Sequence, residues 1–133
     1  MLKISAAQKA AIITLARAAL PNEACGLLAG EIHGEEKIVR RIYGLKNIDE
    51  SPEHFSMDPE EQFRVIADIR KKGLSLLGNF HSHPLTPARP SEEDIRLAFD
   101  PSLSYVIVSL QDRLPEIKSF TILQGTAWEE IQR

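Results

Sequence analysis

The chain has 133 residues, of which 43% are hydrophobic and 26% charged, a composition that excludes disordered, collagenous and disulfide-scaffold classes and suits one domain over residues 1–133 with a sizeable core. Sixteen Lys and Arg against nineteen Asp and Glu leave a net charge of −3, so no overall positive field draws the protein to nucleic acid or to anionic lipid. Cys25 is the single cysteine, which rules out intrachain disulfides and CxxC metal sites; with no apolar run of signal-peptide or membrane-span length, a soluble, cytoplasmic protein is expected.

In chain order, Ser5 to Leu20 carries Ile12, Leu15, Ala16 and Ala19 at i, i+3, i+4 and i+7. Ser5 and Gln8 have capping-box spacing, so an amphipathic helix is expected, stopped by Pro21. Ala24 to Ala29, bounded by Gly30, is a compact apolar run that reads as a buried strand. Lys37 to Tyr43 reads as its hairpin partner, joined through the Gly34-containing stretch Glu31–Glu36. Asn47 to Met57 is polar and without periodicity. Asp58 then offers an N-cap, Pro59 a first helical residue and Glu61 the second half of a capping box. In the helix that follows, Phe63, Ile66, Ala67 and Arg70 mark one side, and Gly73 after Lys71-Lys72 supplies the stop. Leu74 to His83 reads as a buried strand and Ser91 to Phe99 as a short helix. Ser104 to Leu110 and Glu116 to Leu123 read as two strands across a turn that contains Pro115. The order α-β-β-α-β-α-β-β predicts an α/β fold, a mixed sheet flanked by helices. Phe120 and Trp128 are expected in the core; an exposed aromatic there would mark a homodimer or partner surface.

The chemistry concentrates in Phe80-His81-Ser82-His83-Pro84 and the segment after it. Alternate residues of a strand share a face, so His81 and His83 present two imidazoles to one point. Pro84, Pro87 and Pro90 restrict the loop to the next helix, which lowers the entropy lost in holding Asp94 as a third ligand. Two His and one carboxylate leave a fourth position for water, the composition of a catalytic zinc site; structural sites usually close all four positions with protein ligands. Water activated by zinc needs a nearby carboxylate to accept its proton and deliver it to a leaving amine. Glu23, at the mouth of the first strand, is the candidate.

Each residue also has a plainer use. Ser91-x-x-Asp94 is a capping box, and a lone His pair can be a satisfied core pair. Cys25 lies in an apolar run with no basic neighbour and reads as a small buried hydrophobe, while His33, His54 and Arg89 read as solvated surface. What favours a metal site is the conjunction of the His pair, the spacing to Ser91 and Asp94, and the upstream Glu23.

Those residues resemble the JAMM, or JAB1/MPN/Mov34, zinc metalloproteases, whose motif is an upstream Glu, then His-Ser/Thr-His-Pro, a seven-residue gap, a Ser, and an Asp after two further residues. His81-Ser82-His83-Pro84, Ser91 and Asp94 satisfy each spacing, and Glu23-Ala24-Cys25-Gly26-Leu27-Leu28-Ala29-Gly30 resembles the family's Glu-x-Cys-Gly-Leu-x-x-Gly strand. A weaker likeness runs through Asn47 and Phe55-Ser56-Met57-Asp58-Pro59. The resemblance implies a cytidine-deaminase-like JAB1/MPN fold with one zinc on His81, His83 and Asp94, Glu23 as general acid/base, and Ser91 as hydrogen-bond donor to the oxyanion. It further implies an isopeptidase or peptidase acting on the C-terminal Gly-Gly tail of a ubiquitin-like or sulfur-carrier protein, the tail held as an extended strand beside a sheet edge. A non-catalytic MPN binding module and a phage-tail-type JAMM peptidase are the alternatives.

Overall fold

The computed structural model describes residues 1–133. In chain order the elements are β1 (Leu2–Lys3), α1 (Ala6–Ala19), β2 (Cys25–His33), β3 (Glu36–Leu45), α2 (Pro59–Lys71), β4 (Ser75–His83), α3 (Glu92–Leu97), β5 (Ser104–Ser109), β6 (Glu116–Leu123) and β7 (Thr126–Glu130). The seven strands form one mixed sheet in the order β1-β3-β2-β4-β5-β6-β7. Its middle strand, β4, runs antiparallel to β2 and parallel to β5. The last residues return to the opposite edge: the Leu2 and Ile4 N–H groups donate to the Ile131 and Arg133 carbonyls at 2.9 and 2.8 Å. These bonds cover the edge of β1, which would otherwise offer unpaired backbone groups.

The expected mixed α/β architecture is present, with two strands beyond those anticipated. β1 has two residues, too few to show a period, and β7 (Thr-Ala-Trp-Glu-Glu) is exposed or half-buried along its length. Pairing with β6, rather than burial, places it. Phe120 is in the core as expected, but Trp128 is 53% exposed on this outer strand. The β2–β3 connection is also tighter than Glu31–Glu36: both strands continue to a turn at Gly34 and Glu35, where Gly34 adopts φ 62°. That left-handed conformation costs glycine little.

α1 covers one face of the sheet. Its capping box closes as predicted, with the Gln8 N–H on Ser5 Oγ and the Ser5 N–H on Gln8 Oε1. Ile12 and Ala16 enter the largest core with Leu28, Phe80, Val106 and Val108. Gly26 is required within this packing, because a Cβ there would overlap the Tyr43 carbonyl and the Phe80 ring. α2 and α3 lie on the other face, α2 over Cys25, Leu27 and Leu45, and α3 beside Ile107 and Phe120. The α2 face agrees with the expected one at Ile66 and differs elsewhere. Ile69 is its buried residue and Val65 and Ile66 pack against Cys25, Leu27 and Leu45, whereas Phe63 is 75% exposed and Ala67 and Arg70 face solvent. The capping box is absent as well: Asp58 accepts from the Glu60 N–H, and Glu61 instead accepts from the Lys46 N–H at 3.0 Å. No helix is long and apolar enough to cross a membrane.

Candidate metal centre and active site

Strand alternation creates the centre. Phe80 and Ser82 of β4 are buried toward α1 or the adjoining strand, and His81 and His83 project from the opposite face. Their Nε2 atoms stand 3.1 Å apart, and Asp94 Oδ2 lies 3.1 Å from His81 Nε2 and 3.2 Å from His83 Nε2. Asp94 arrives at the start of α3, where the Ser91 N–H donates to this same Oδ2 at 2.9 Å and the Asp94 N–H donates to Ser91 Oγ at 3.0 Å. The capping box and the ligand geometry are thus one arrangement: the cap fixes the carboxylate that faces the imidazoles.

The donor set fits zinc. Ligands around a tetrahedral zinc lie roughly 3.3 Å from one another, given bonds of about 2.0–2.1 Å, and the three atoms here form a triangle with edges of 3.1–3.2 Å. His83 Nδ1–H donates to the Pro87 carbonyl at 2.9 Å, which leaves Nε2 facing the other donors, its lone pair available to a metal once the ring is neutral. The proline loop therefore holds a histidine as well as the helix that carries Asp94. His81 is fixed differently. Its buried Nδ1 has no hydrogen-bond partner, and the ring stacks on Phe55 with centroids 4.7 Å apart. Burial pushes the Asp94 carboxyl up, but hydrogen bonds with His81 and His83 and from the Ser91 backbone outweigh it and hold the group well below the usual carboxylate range. An ionised carboxylate facing two imidazole nitrogens suits a divalent cation.

Glu23 is brought alongside. Ala24 exchanges two bonds with Ser82, its N–H donating to Ser82 Oγ at 2.7 Å and its carbonyl accepting from the Ser82 N–H at 3.0 Å. Cys25 pairs with His81 in the β2–β4 register, so two residues further the antiparallel run sets Glu23 level with His83. The Glu23 side chain is buried, and Oε1 has no partner. Burial raises its pKa from 4.5 to about 8; His83 opposes the shift, while Asp94 and Glu93 add to it. Such a carboxyl can hold and release a proton near neutral pH.

Ser91 is exposed at the rim. A groove of about 320 Å³ leads away from His81 and Asp94, walled by Leu27, Phe55, Met57, Leu97 and Phe99. The anticipated sheet edge is not at this position, since β4 is flanked on both sides by β2 and β5. Cys25 is buried, with burial pushing its thiol up to about 12, as expected for an inert residue. His33 and His54 are surface residues paired with Glu31 and Asp49. Phe55, Ser82 and the Pro87 carbonyl carry no chemical signature in the sequence that marks these contacts.

A family model described as prokaryotic homologs of the JAB domain matches residues 5–123. The solution structure of a Desulfitobacterium hafniense protein is 54% identical, with a TM-score of 0.91 over 100% of this chain and 93% of that one. The CysO-cysteine peptidase of Mycobacterium tuberculosis is 36% identical over 121 residues, covering 90% of this chain and 82% of that protein. The desampylase of Pyrococcus furiosus is 36% identical over 73 residues, 55% of this chain and 49% of that protein. With the family match spanning five of the seven strands and every residue of the centre, the chain belongs to the prokaryotic JAB-domain family.

Proposed function

We propose that this chain is a zinc-dependent peptidase that hydrolyses the amide bond at the C-terminal Gly-Gly tail of a ubiquitin-like or sulfur-carrier protein. The observation that carries the reading is the convergence of His81, His83 and Asp94 beside a buried, unpartnered Glu23 carboxyl. The likeness to a CysO-cysteine peptidase supports the substrate class. His81 Nε2, His83 Nε2 and Asp94 Oδ2 would hold the metal. When bound, zinc supplies Lewis-acid polarisation of a carbonyl and activation of water at neutral pH.

The protein groups do the rest. Glu23, starting as the carboxylate, takes the proton released as water attacks, holds it in a pocket that favours the protonated form, and delivers it to the leaving amine. Ser91 Oγ accepts the Asp94 N–H, which leaves its own hydroxyl proton free to donate to the developing oxyanion. The groove beside His81 receives the extended tail, its apolar wall excluding water and fixing the scissile bond over the centre. Two leaving groups suit this chemistry, the α-amine of an amino acid and the ε-amine of a lysine.

The test incubates zinc-loaded protein with a Gly-Gly-ended carrier extended by cysteine, and separately with that carrier joined to a lysine of a second protein, following intact masses. The expected result is a free Gly-Gly carboxylate from at least one substrate, lost in Glu23→Gln that retains zinc. Failure on both, under conditions where another carrier peptidase cleaves them, would reject the activity.

A further inference from the structure

We infer that Asn47 is a positioning residue that sets the Glu23 carboxylate against the centre by tying its backbone to the loop that covers His81; this rests on the proposed role of Glu23. Asn47 is buried on the segment between β3 and α2. Its amide uses its full hydrogen-bonding capacity: Nδ2 donates to the carbonyls of Glu23 and His54, each at 3.1 Å, and Oδ1 accepts from the N–H groups of Asp49 and Ser56 at 3.1 and 3.2 Å. The acceptors and donors belong to two stretches of chain. One is Glu23 itself. The other is the loop that contains His54 and Ser56, the two neighbours of Phe55, whose ring lies on His81.

One side chain therefore ties the backbone of the candidate acid/base to the residue covering a candidate ligand. The rest of the loop closes the clamp. The Glu23 N–H donates to the Ser51 carbonyl at 2.8 Å, and the Ile48 N–H donates to the Ser56 carbonyl at 3.0 Å. Glu50, in the turn closed by its N–H on the Asn47 carbonyl, sits at φ 47°, a left-handed conformation that glutamate adopts rarely. Because Oε1 of Glu23 has no partner, no side-chain bond holds this carboxylate end. Its place is set through the backbone, by Asn47 and Ser51 on one side and by Ser82 through Ala24 on the other. An arrangement of this kind leaves the carboxylate free to exchange a proton while restricting where it can be.

The experiment uses Asn47→Ala, with Asn47→Asp as a second variant that keeps the Oδ1 acceptor but loses the two donors. In chelated protein, amide hydrogen exchange should rise at least about tenfold at Glu23 in both variants and at Ser56 in Asn47→Ala, with β4 amides unchanged. In zinc-loaded protein, kcat should fall by about 10 to 100-fold with KM and zinc content near the parent's. Unchanged exchange at Glu23 or a kcat loss that tracks lost zinc would each overturn the assignment. The exchange measurement needs no substrate, so it judges the clamp even if the parent cleaves no carrier.

Discussion

Replacing Glu23 by Gln should abolish cleavage and, in the metal-free protein, raise stability. The side chain is 4% exposed and its Oε1 has no partner. Folding raises the pKa from 4.5 to about 8, chiefly through burial. Between those values the folded chain holds a proton that the unfolded chain has released, so stability is full below pH 4.5 and is lost as pH rises toward about 8. At about 1.36 kcal/mol per unit the whole interval is worth at most about 5 kcal/mol. Water reaching the cleft screens part of this, leaving roughly 2–3 kcal/mol. Gln has the same shape and never ionises. Thermal unfolding with chelator present should give similar midpoints for parent and variant at pH 5, and a variant about 10 °C more stable at pH 8.5, at roughly 3–5 °C per kcal/mol for a domain of this size. Parallel pH profiles for the two proteins would refute the reasoning, because they would mean that the buried carboxyl does not titrate against its environment.

Ser91→Ala removes both a helix cap and the hydroxyl aimed at the rim. It should cost about 1 kcal/mol in denaturant unfolding and about 10²–10³ in turnover with zinc retained; full turnover would remove Ser91 from the chemistry. Gly26→Ala should fail to fold or lose most of its cooperative unfolding, since the added Cβ meets the Tyr43 carbonyl and the Phe80 ring. Cys25→Ala should keep carrier cleavage, and native protein at pH 8 should resist thiol alkylation until denatured; rapid alkylation would contradict the buried, protonated thiol.

How much of this could be read from the sequence follows from the range of the interactions. His81 and His83 meet because a strand repeats every two residues, and Asp94 turns toward them because Ser91 caps its helix; both are local rules. The face of α2 was legible only at Ile66. Phe63 is the bulkiest apolar residue of that helix, yet it is Val65, together with the expected Ile66, that packs against the cluster of Cys25, Leu27 and Leu45. Strand order was equally hidden. Nothing within Leu74 to His83 indicates that β5 lies beside β4, which puts the centre in the middle of the sheet rather than at an edge. Asn47 lies 24 residues from the backbone carbonyl it holds, and asparagine in a polar segment ordinarily signals only a turn.

The most direct test is the zinc content per chain of protein purified without a His tag, compared with His81→Ala. About one equivalent in the parent and little in the variant is the predicted result, because one point receives the His81, His83 and Asp94 donors. No zinc in the parent, even after reconstitution, would contradict a metallopeptidase built on this centre.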